Sequence, residues 1–549
     1  MPIFDLASDQ RHAPPEPAFS KLPGMGSIVD VVALVAISVL GAALARRLGF
    51  VAPLVLLVAG LGLSYLPGFP QAHLEPELVL IGILPPLLYV AALQTSVPAF
   101  RLALRPILLL AVGLVLFTAF AVGIVVHLLL PAVPFAACVA LGAIVAPPDA
   151  VSATAIARRI GLPRRVVTIL EGESLLNDAT ALVLLRVATG ALAGTAVGFW
   201  PIAGQVALKA GGGVLIGLVA AFATAKLHGK IADPLLDDAV SLLTPFVVVI
   251  VAEGLRTSSV VAVVITGLYL GHRIPYLLSA TSRLQMDAVW RLVTFLLEGV
   301  VFLLVGLQLR ELVSALGVGV GTATAVTAAV FGTLVVARFV WTYPATYLAR
   351  LVPRIRAREE RPPLTVPAVI AWAGMRGVVT LAAAQSLTEP DPQAHVPNYP
   401  RDLFIFIAFA VIVLTLLAQG STLPWLAVRL GVRQDTGAAD ALAEAGVQHQ
   451  ASRAALTALE EHADGAPPSV VDRLRALVDS RSNNAWERLG SQRQETPSVA
   501  YGRLRREMIR AERHVFKIAR NEGRIPEEVL NRAQRDLDLE ESQLQRSDD

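Results

Sequence analysis

The sequence predicts an all-α polytopic membrane protein. About thirteen transmembrane helices are expected, in two inverted six-helix repeats with interrupted helices crossing near mid-membrane, followed by a small helical cytoplasmic tail. Three observations predict this architecture. The 549 residues are 55% hydrophobic and only 16% charged, whereas a soluble globular chain carries about 25% charged residues. The charge is also segregated: nearly continuous apolar runs fill residues 27–428, and residues 432–549 are rich in Arg, Glu, Asp and Gln. Finally, basic residues recur in alternate loops between the apolar runs, as they do when every second loop faces the cytoplasm.

Taken in order, residues 1–26 form a polar N-terminal segment with Pro14, Pro15, Pro17 and Pro23. It lacks the basic stretch followed by a short apolar core of a secretory signal, and is expected on the extracytoplasmic side. The membrane domain, 27–428, is read from stretches of about 20 apolar residues. The candidates are 28–45, 51–67, 77–94, 106–130, 135–157, 166–190, 199–225, 239–254, 257–271, 286–308, 312–347, 365–387 and 403–427. The run 312–347 is too long for one straight span and is expected to include an interfacial extension.

Loop charge orients these spans. One set of alternate loops holds Arg46, Arg47, Arg101, Arg105, Arg158, Arg159, Arg164, Arg165, Lys226, Lys230, Arg273, Arg283, Arg350, Arg354, Arg356, Arg358 and Arg361. The intervening loops hold Arg256, Arg310 and Arg401. A miscounted span would scramble this asymmetry, so an odd number of helices, an outer N-terminus and a cytoplasmic tail are expected in the plasma membrane.

Two spans carry breaks. The fifth contains Ala146-Pro147-Pro148-Asp149, where two prolines remove backbone hydrogen bonds and force an irregular chain. The twelfth contains Gly374-Met375-Arg376-Gly377. One break presents an acid and the other a base. If the seventh span is a connector, these are the penultimate helices of two six-helix units, the pattern of secondary transporters with a site at mid-membrane.

The sixth span carries the densest polar group, Glu171-Gly172-Glu173-Ser174-Leu175-Leu176-Asn177-Asp178. A charge at bilayer centre costs at least about 2.5–3.5 kcal/mol, so three carboxylates in one span imply a protein interior or watery cavity that handles a cation or a proton. At about 100° per residue, Glu171, Ser174 and Asp178 share one helix face, while Glu173, Asn177 and Thr180 share another. Such a helix belongs at the centre of the bundle. Asp149 precedes Asp178 on the neighbouring antiparallel span, so the two carboxylates are expected together. Arg338 is the natural counter-ion for Glu173 in a structural ion pair, and Arg376 is expected to brace the second break or pair with an acid. Asp30, Glu253 and Glu298 sit where span ends and pore surfaces accept charge, and carry less information.

These residues are similar to those of the monovalent cation/proton antiporters of the NhaP and sodium/proton exchanger branch. The resemblance covers about residues 28–428 and rests on Gly172–Asp178, Asp149 upstream and the Gly374–Gly377 break. It implies that Asp178 is the ion- and proton-binding carboxylate and that Asp149 lines the site. Ser174 is implied as an oxygen ligand, and Asn177 as the neutral neighbour that stands where electrogenic relatives carry a second aspartate. It further implies that Glu173 pairs with Arg338, that Arg376 is the arginine of the second break, that exchange is one cation for one proton, and that the chain forms homodimers. Relatives in animals place a proline just after the aspartate of the fifth span. Here Pro147 and Pro148 precede it and Ala150 follows, which leaves ion preference open. Glu171 lies outside the implied site.

Other classes fit less well. A net charge of +3 gives no case for nucleic acid. The single cysteine, Cys138, excludes an intrachain disulfide and reads as a small buried side chain. There is no phosphate loop, no HExxH, no nucleophile elbow and no metal spacing among nine histidines. No cofactor is therefore expected beyond transported Na⁺ and H⁺. Gly317-Val318-Gly319-Val320-Gly321 is expected to pack helices. K⁺/H⁺ exchange remains open beside Na⁺ or Li⁺ exchange, and a cation channel and a membrane enzyme stand further off. In the tail, Leu504, Met508, Ala511, Val515 and Ile518 recur at helical spacing, as do Val529, Ala533 and Leu537 after Pro526. They are expected to pack against each other or a dimer mate, with membrane binding or sensing as the alternative.

Overall fold

A computed structural model describes residues 28–66, 75–192, 199–353, 356, 361–387, 389, 399–432, 437–463, 466–487, 497–522 and 524–548. The N-terminal segment 1–26, Arg354, Arg358 and the side chain of Asp30 lie outside what is described. The described residues form helices and turns, with no strand among them. The chain divides into two compact units, Met1–Arg433 and Gln434–Asp549.

The first unit begins with α1 (Ile28–Leu48), α2 (Ala52–Leu63), α3 (Leu78–Gln94) and the short α4 (Val97–Leu102). Next come α5 (Leu104–Leu129), α6 (Phe135–Val145), α7 (Ala150–Arg159) and α8 (Arg164–Leu192). Then follow α9 (Phe199–His228), α10 (Pro234–Gly254), α11 (Ser259–Leu277) and α12 (Ala280–Leu307). The unit ends with α13 (Leu309–Ser314), α14 (Val320–Tyr347), α15 (Thr365–Trp372), α16 (Val378–Gln385) and α17 (Arg401–Arg429). Nine helical stretches among the described residues are long and apolar enough to cross a membrane, and α2, α3 and α6 are shorter apolar helices.

Local chemistry sets several boundaries. Asp233 starts α10 by accepting a hydrogen bond from the Leu235 amide at 2.9 Å, with Pro234 at the first helical position. Ser279 caps α12 by accepting from the Ser282 amide at 3.1 Å. Gly161, with φ 67°, turns the chain between α7 and α8. Glycine also permits close crossings: a Cβ on Gly142 of α6 would lie 2.1 Å from the Ala119 carbonyl oxygen of α5.

The helices pack in two groups. One is α1–α3 with α9–α12; the other is α4–α8 with α14–α17, and contacts between the groups are sparse. Each group draws on both halves of the chain, and both helix breaks lie in the second group.

Two sequence expectations change. The long run 312–347 divides: α13 ends at Ser314, and α14 starts at Val320 with Gly319 as its N-cap. Gly317, Gly319 and Gly321 sit in this turn and the first helical turn with open space around each, so they pack against no helix among the described residues. The physical reason is the backbone freedom of glycine, which favours a helix end over a helix interior.

The second unit contains α18 (Gly437–His462), α19 (Pro468–Glu487), α20 (Pro497–Asn521) and α21 (Glu527–Asp548). Helices α20 and α21 pair through Arg505 to Glu540 (2.6 Å) and Arg513 to Glu541 (2.5 Å). Ile509, Ala519, Leu530 and Leu537 are buried here, whereas Leu504, Met508, Val515 and Ile518 are exposed. In α20 the covered face is thus not the stripe that the periodicity of the sequence singled out, whereas in α21 Leu537 of the expected stripe is buried.

Candidate functional site

The two breaks are tied to each other. Helix α6 stops at Val145 and α7 starts at Ala150; α15 stops at Trp372 and α16 starts at Val378. The Asp149 amide donates to the Met375 carbonyl at 2.7 Å, and Arg376 Nη1 donates to the Ala146 carbonyl at 2.6 Å. Prolines at 147 and 148 cannot donate, so the carbonyls at the end of α6 need outside partners. The buried guanidinium of Arg376 supplies one and places a positive charge at a helix C-terminus, where the helix dipole favours it. The Arg376 amide donates to Thr415 Oγ1 at 3.0 Å, anchoring the second break to α17.

Asp149 is held by its own helix. Its Oδ2 accepts from the Ser152 amide at 3.0 Å, so the carboxylate caps α7. Gly377 comes so close that an added Cβ would meet Asp149 Cβ at 2.7 Å. The breaks therefore fix Asp149 from two sides.

Helix α8 passes alongside and divides its polar groups by face. Asn177, fully buried, donates through Nδ2 to the Pro148 carbonyl at 2.8 Å, which satisfies another group of the first break. Glu173 receives Arg338 in a bidentate pair, Nη1 to Oε1 at 2.6 Å and Nη2 to Oε2 at 2.8 Å. Arg338 Nε donates to the Ile370 carbonyl at 3.2 Å, so α8, α14 and α15 are joined at one point. Glu171 takes Arg158 at 2.6 Å, near the turn between α7 and α8.

Asp178 and Ser174 occupy the remaining face. With Asp149, Pro147, Pro148, Gly377 and Thr380 they line a cleft of about 760 Å³, open mouth included. Its opposite wall comes from the other helix group: Val79–Ala91 of α3, and Glu298, Val301 and Phe302 of α12. Asp178 is 8% exposed and accepts no hydrogen bond from the described residues. It also borders a second, smaller void of about 220 Å³, lined otherwise by apolar side chains of α6, α8 and α16 and by Pro147. Asp178 thus stands between two spaces.

The structure brings Asp178, Asp149 and Ser174 to one cleft. It sets Asn177, Glu173, Arg338 and Arg376 behind them, on the breaks and on the neighbouring helices. Glu298, which the sequence placed with Asp30 and Glu253 as carrying less information, lines the cleft. Its signal was available, since it is the one charged residue between Arg291 and Arg310. Glu253 instead accepts from Ser259 Oγ at 2.7 Å at an exposed helix end. Chemically, the cleft offers carboxylate and hydroxyl oxygens to a hard cation, and a buried carboxylate without protein donors can equally hold a proton.

Comparison with known proteins places the chain in a family. The sequence model for "Sodium/hydrogen exchanger, transmembrane" matches residues 33–429. The chain is 34% identical to an Na⁺/H⁺ exchanger of Mycobacterium tuberculosis, over 94% of this chain and 96% of that one. It is 30% identical to a sodium, potassium, lithium and rubidium/H⁺ antiporter of Bacillus pumilus, over 68% of this chain and 57% of that one. The solved structure of the sodium proton antiporter NhaP1 from Methanocaldococcus jannaschii at pH 8 superposes with a TM-score of 0.59 at 19% identity. That match covers 73% of this chain and 99% of the other. The chain belongs to the transmembrane sodium/hydrogen exchanger family, and is a membrane-spanning cation/proton antiporter.

Proposed function

We propose that the protein exchanges Na⁺, with Li⁺ as a further candidate, for H⁺ by alternating access, one ion for one proton. The observation that carries this reading is Asp178: a buried carboxylate in a cleft between two helix groups, beside Asp149, with no donor among the described residues. Such a group holds either a proton or a cation. Competition for it couples the two fluxes without a separate gate. Asp149 lines the site as the second carboxylate and Ser174 supplies a hydroxyl oxygen. Asn177 fills its position as a neutral side chain, which favours electroneutral exchange. Glu173–Arg338 and Arg376 hold the helices and breaks that position these ligands. The sparse contact between the helix groups suits a rigid-body movement that exposes Asp178 to one side and then the other.

K⁺/H⁺ exchange by the same mechanism is the second reading, favoured by the similarity to a relative whose name includes sodium, potassium, lithium and rubidium. The protein would act in pH and sodium homeostasis as a homodimer in the plasma membrane, with residues 432–549 cytoplasmic. The test is proton flux in proteoliposomes against Na⁺, K⁺ and Li⁺ gradients, with and without a clamped voltage. Na⁺-driven flux insensitive to voltage supports the proposal. Flux with K⁺ alone selects the second reading. Flux that needs no counter-cation contradicts both.

A further inference from the structure

Glu298 belongs to a different part of the molecule from the two aspartates it faces. Asp149 and Asp178 sit at the first break and on α8, in one helix group. Glu298 sits on α12, which packs with α1, α2, α3 and α10 in the other. Its neighbours one helical turn along, Val301 and Phe302, are apolar and line the same wall. It makes no ion pair or hydrogen bond among the described residues. By contrast, the buried Glu173 has its arginine and the more exposed Glu171 has Arg158. An acid retained in an apolar helix with no counter-charge among the described residues, opposite two others across a cleft, is offset by a proton of its own or by a cation held between them.

We infer that Glu298 is a specificity-determining residue: it is the third carboxylate of the cation site, supplied from across the cleft, and present at the ion in one conformation only. The inference deepens the proposed exchange and rests on it. Asp149 and Asp178 lie in one rigid group and travel with the cation. Glu298 stays with the other group, so its charge acts on the ion while the cleft is arranged as here and is withdrawn when the groups shift. Three negative groups around one monovalent ion favour capture of the cation from dilute solution. Withdrawal of one lowers the affinity on the side where the ion is released. Glu298 therefore sets apparent cation affinity and the ranking of Na⁺, K⁺ and Li⁺, whereas Asp178 carries the exchange itself.

The experiment compares Glu298→Gln, Glu298→Asp and Asp178→Asn with the unmodified full-length protein in proteoliposomes. Cation-driven proton movement is followed with a pH dye over a range of Na⁺, K⁺ and Li⁺ concentrations. Size-exclusion profiles confirm that each variant is folded. Glu298→Gln is expected to raise the KM for Na⁺ about tenfold, the factor that about 1.4 kcal/mol produces, with exchange persisting at high Na⁺. Glu298→Asp, which retains the charge on a shorter stem, is expected to fall between the two and to alter the ratio of KM values among the three cations. Asp178→Asn is expected to abolish exchange. KM values unchanged for all three cations in Glu298→Gln overturn the inference while leaving the exchange scheme standing. Loss of exchange in both Glu298 variants at saturating Na⁺ also overturns it, because a residue that tunes affinity cannot be indispensable when the site is full. Exchange persisting in Asp178→Asn refutes the underlying scheme instead.

Discussion

The Glu173–Arg338 pair makes an asymmetric prediction. Both side chains are almost fully buried, at 1% and 2% exposure, and they meet through two parallel N–H···O contacts of 2.6 and 2.8 Å. Breaking such a pair by removing one partner costs about 3–5 kcal/mol, because the other charge stays buried without compensation. The two ways of breaking it differ. Glu173→Gln leaves a guanidinium, which cannot discharge in a protein, and should incur the full penalty. Arg338→Met leaves a carboxyl group, which can take up a proton and so escape part of the penalty. It does lose the bond to the Ile370 carbonyl, worth about 1 kcal/mol. Glu173→Leu with Arg338→Met removes both charges and should recover most of the stability. The assay is survival of the size-exclusion peak in detergent after heating, for the three variants in parallel. The expected order of stability is the double variant, then Arg338→Met, then Glu173→Gln. Single variants as stable as the starting protein, or a double variant weaker than either single, would refute the reasoning.

Further predictions follow from the breaks and the tail. Asp149→Asn preserves an N-cap, since Asn caps as well as Asp, so α7 should fold while cation-driven proton flux falls sharply; Asp149→Ala should add a stability loss of about 1 kcal/mol, readable in the same heating assay. Gly377→Ala places a methyl 2.7 Å from Asp149 Cβ, so Asp149 must shift and cation-driven proton flux should fall. Gly142→Ala should instead destabilise the fold, because its Cβ would meet the Ala119 backbone at 2.1 Å and the α5–α6 crossing must open. In the tail, Arg505 holds the Glu540 carboxyl below its usual value of 4.5. A depressed carboxylate stabilises the folded pair above that value and loses the contribution as pH falls through its lower folded value. Hydrogen exchange in α20 and α21 of the full chain is therefore expected to be flat from neutral pH down to about pH 5, and to speed up only in stronger acid after correction for intrinsic rates. Arg505→Ala should abolish that acid step.

Much of the site was legible because buried charge is costly. Two prolines before Asp149 and two glycines around Arg376 announced irregular backbone, and the chain breaks at both places. The helical period separated Asp178 from Glu173 and Asn177, and the structure sends them in different directions, to the cleft, to Arg338 and to Pro148. Arg338 could be matched to Glu173 because each needed an opposite charge inside the bundle. Periodicity says which residues share a face, but not what that face meets. For that reason Glu298 gave no sign of standing opposite Asp178, and Asn177 gave none of bonding the Pro148 carbonyl. The same limit hid the fate of Gly317–Gly321, whose spacing suits a packed helix as well as a helix end. It also hid which side of α20 is covered, since Ile509 and Ala519 are buried while Leu504 and Met508 are not.

The central claim is that one carboxylate, Asp178, alternates between a proton and an alkali cation. The most direct measurement is Na⁺-driven proton movement in proteoliposomes holding either the unmodified protein or folded Asp178→Asn. The account predicts vigorous dye response to a Na⁺ pulse in the first and none above protein-free vesicles in the second. A sustained Na⁺-dependent response in the Asn variant would contradict it.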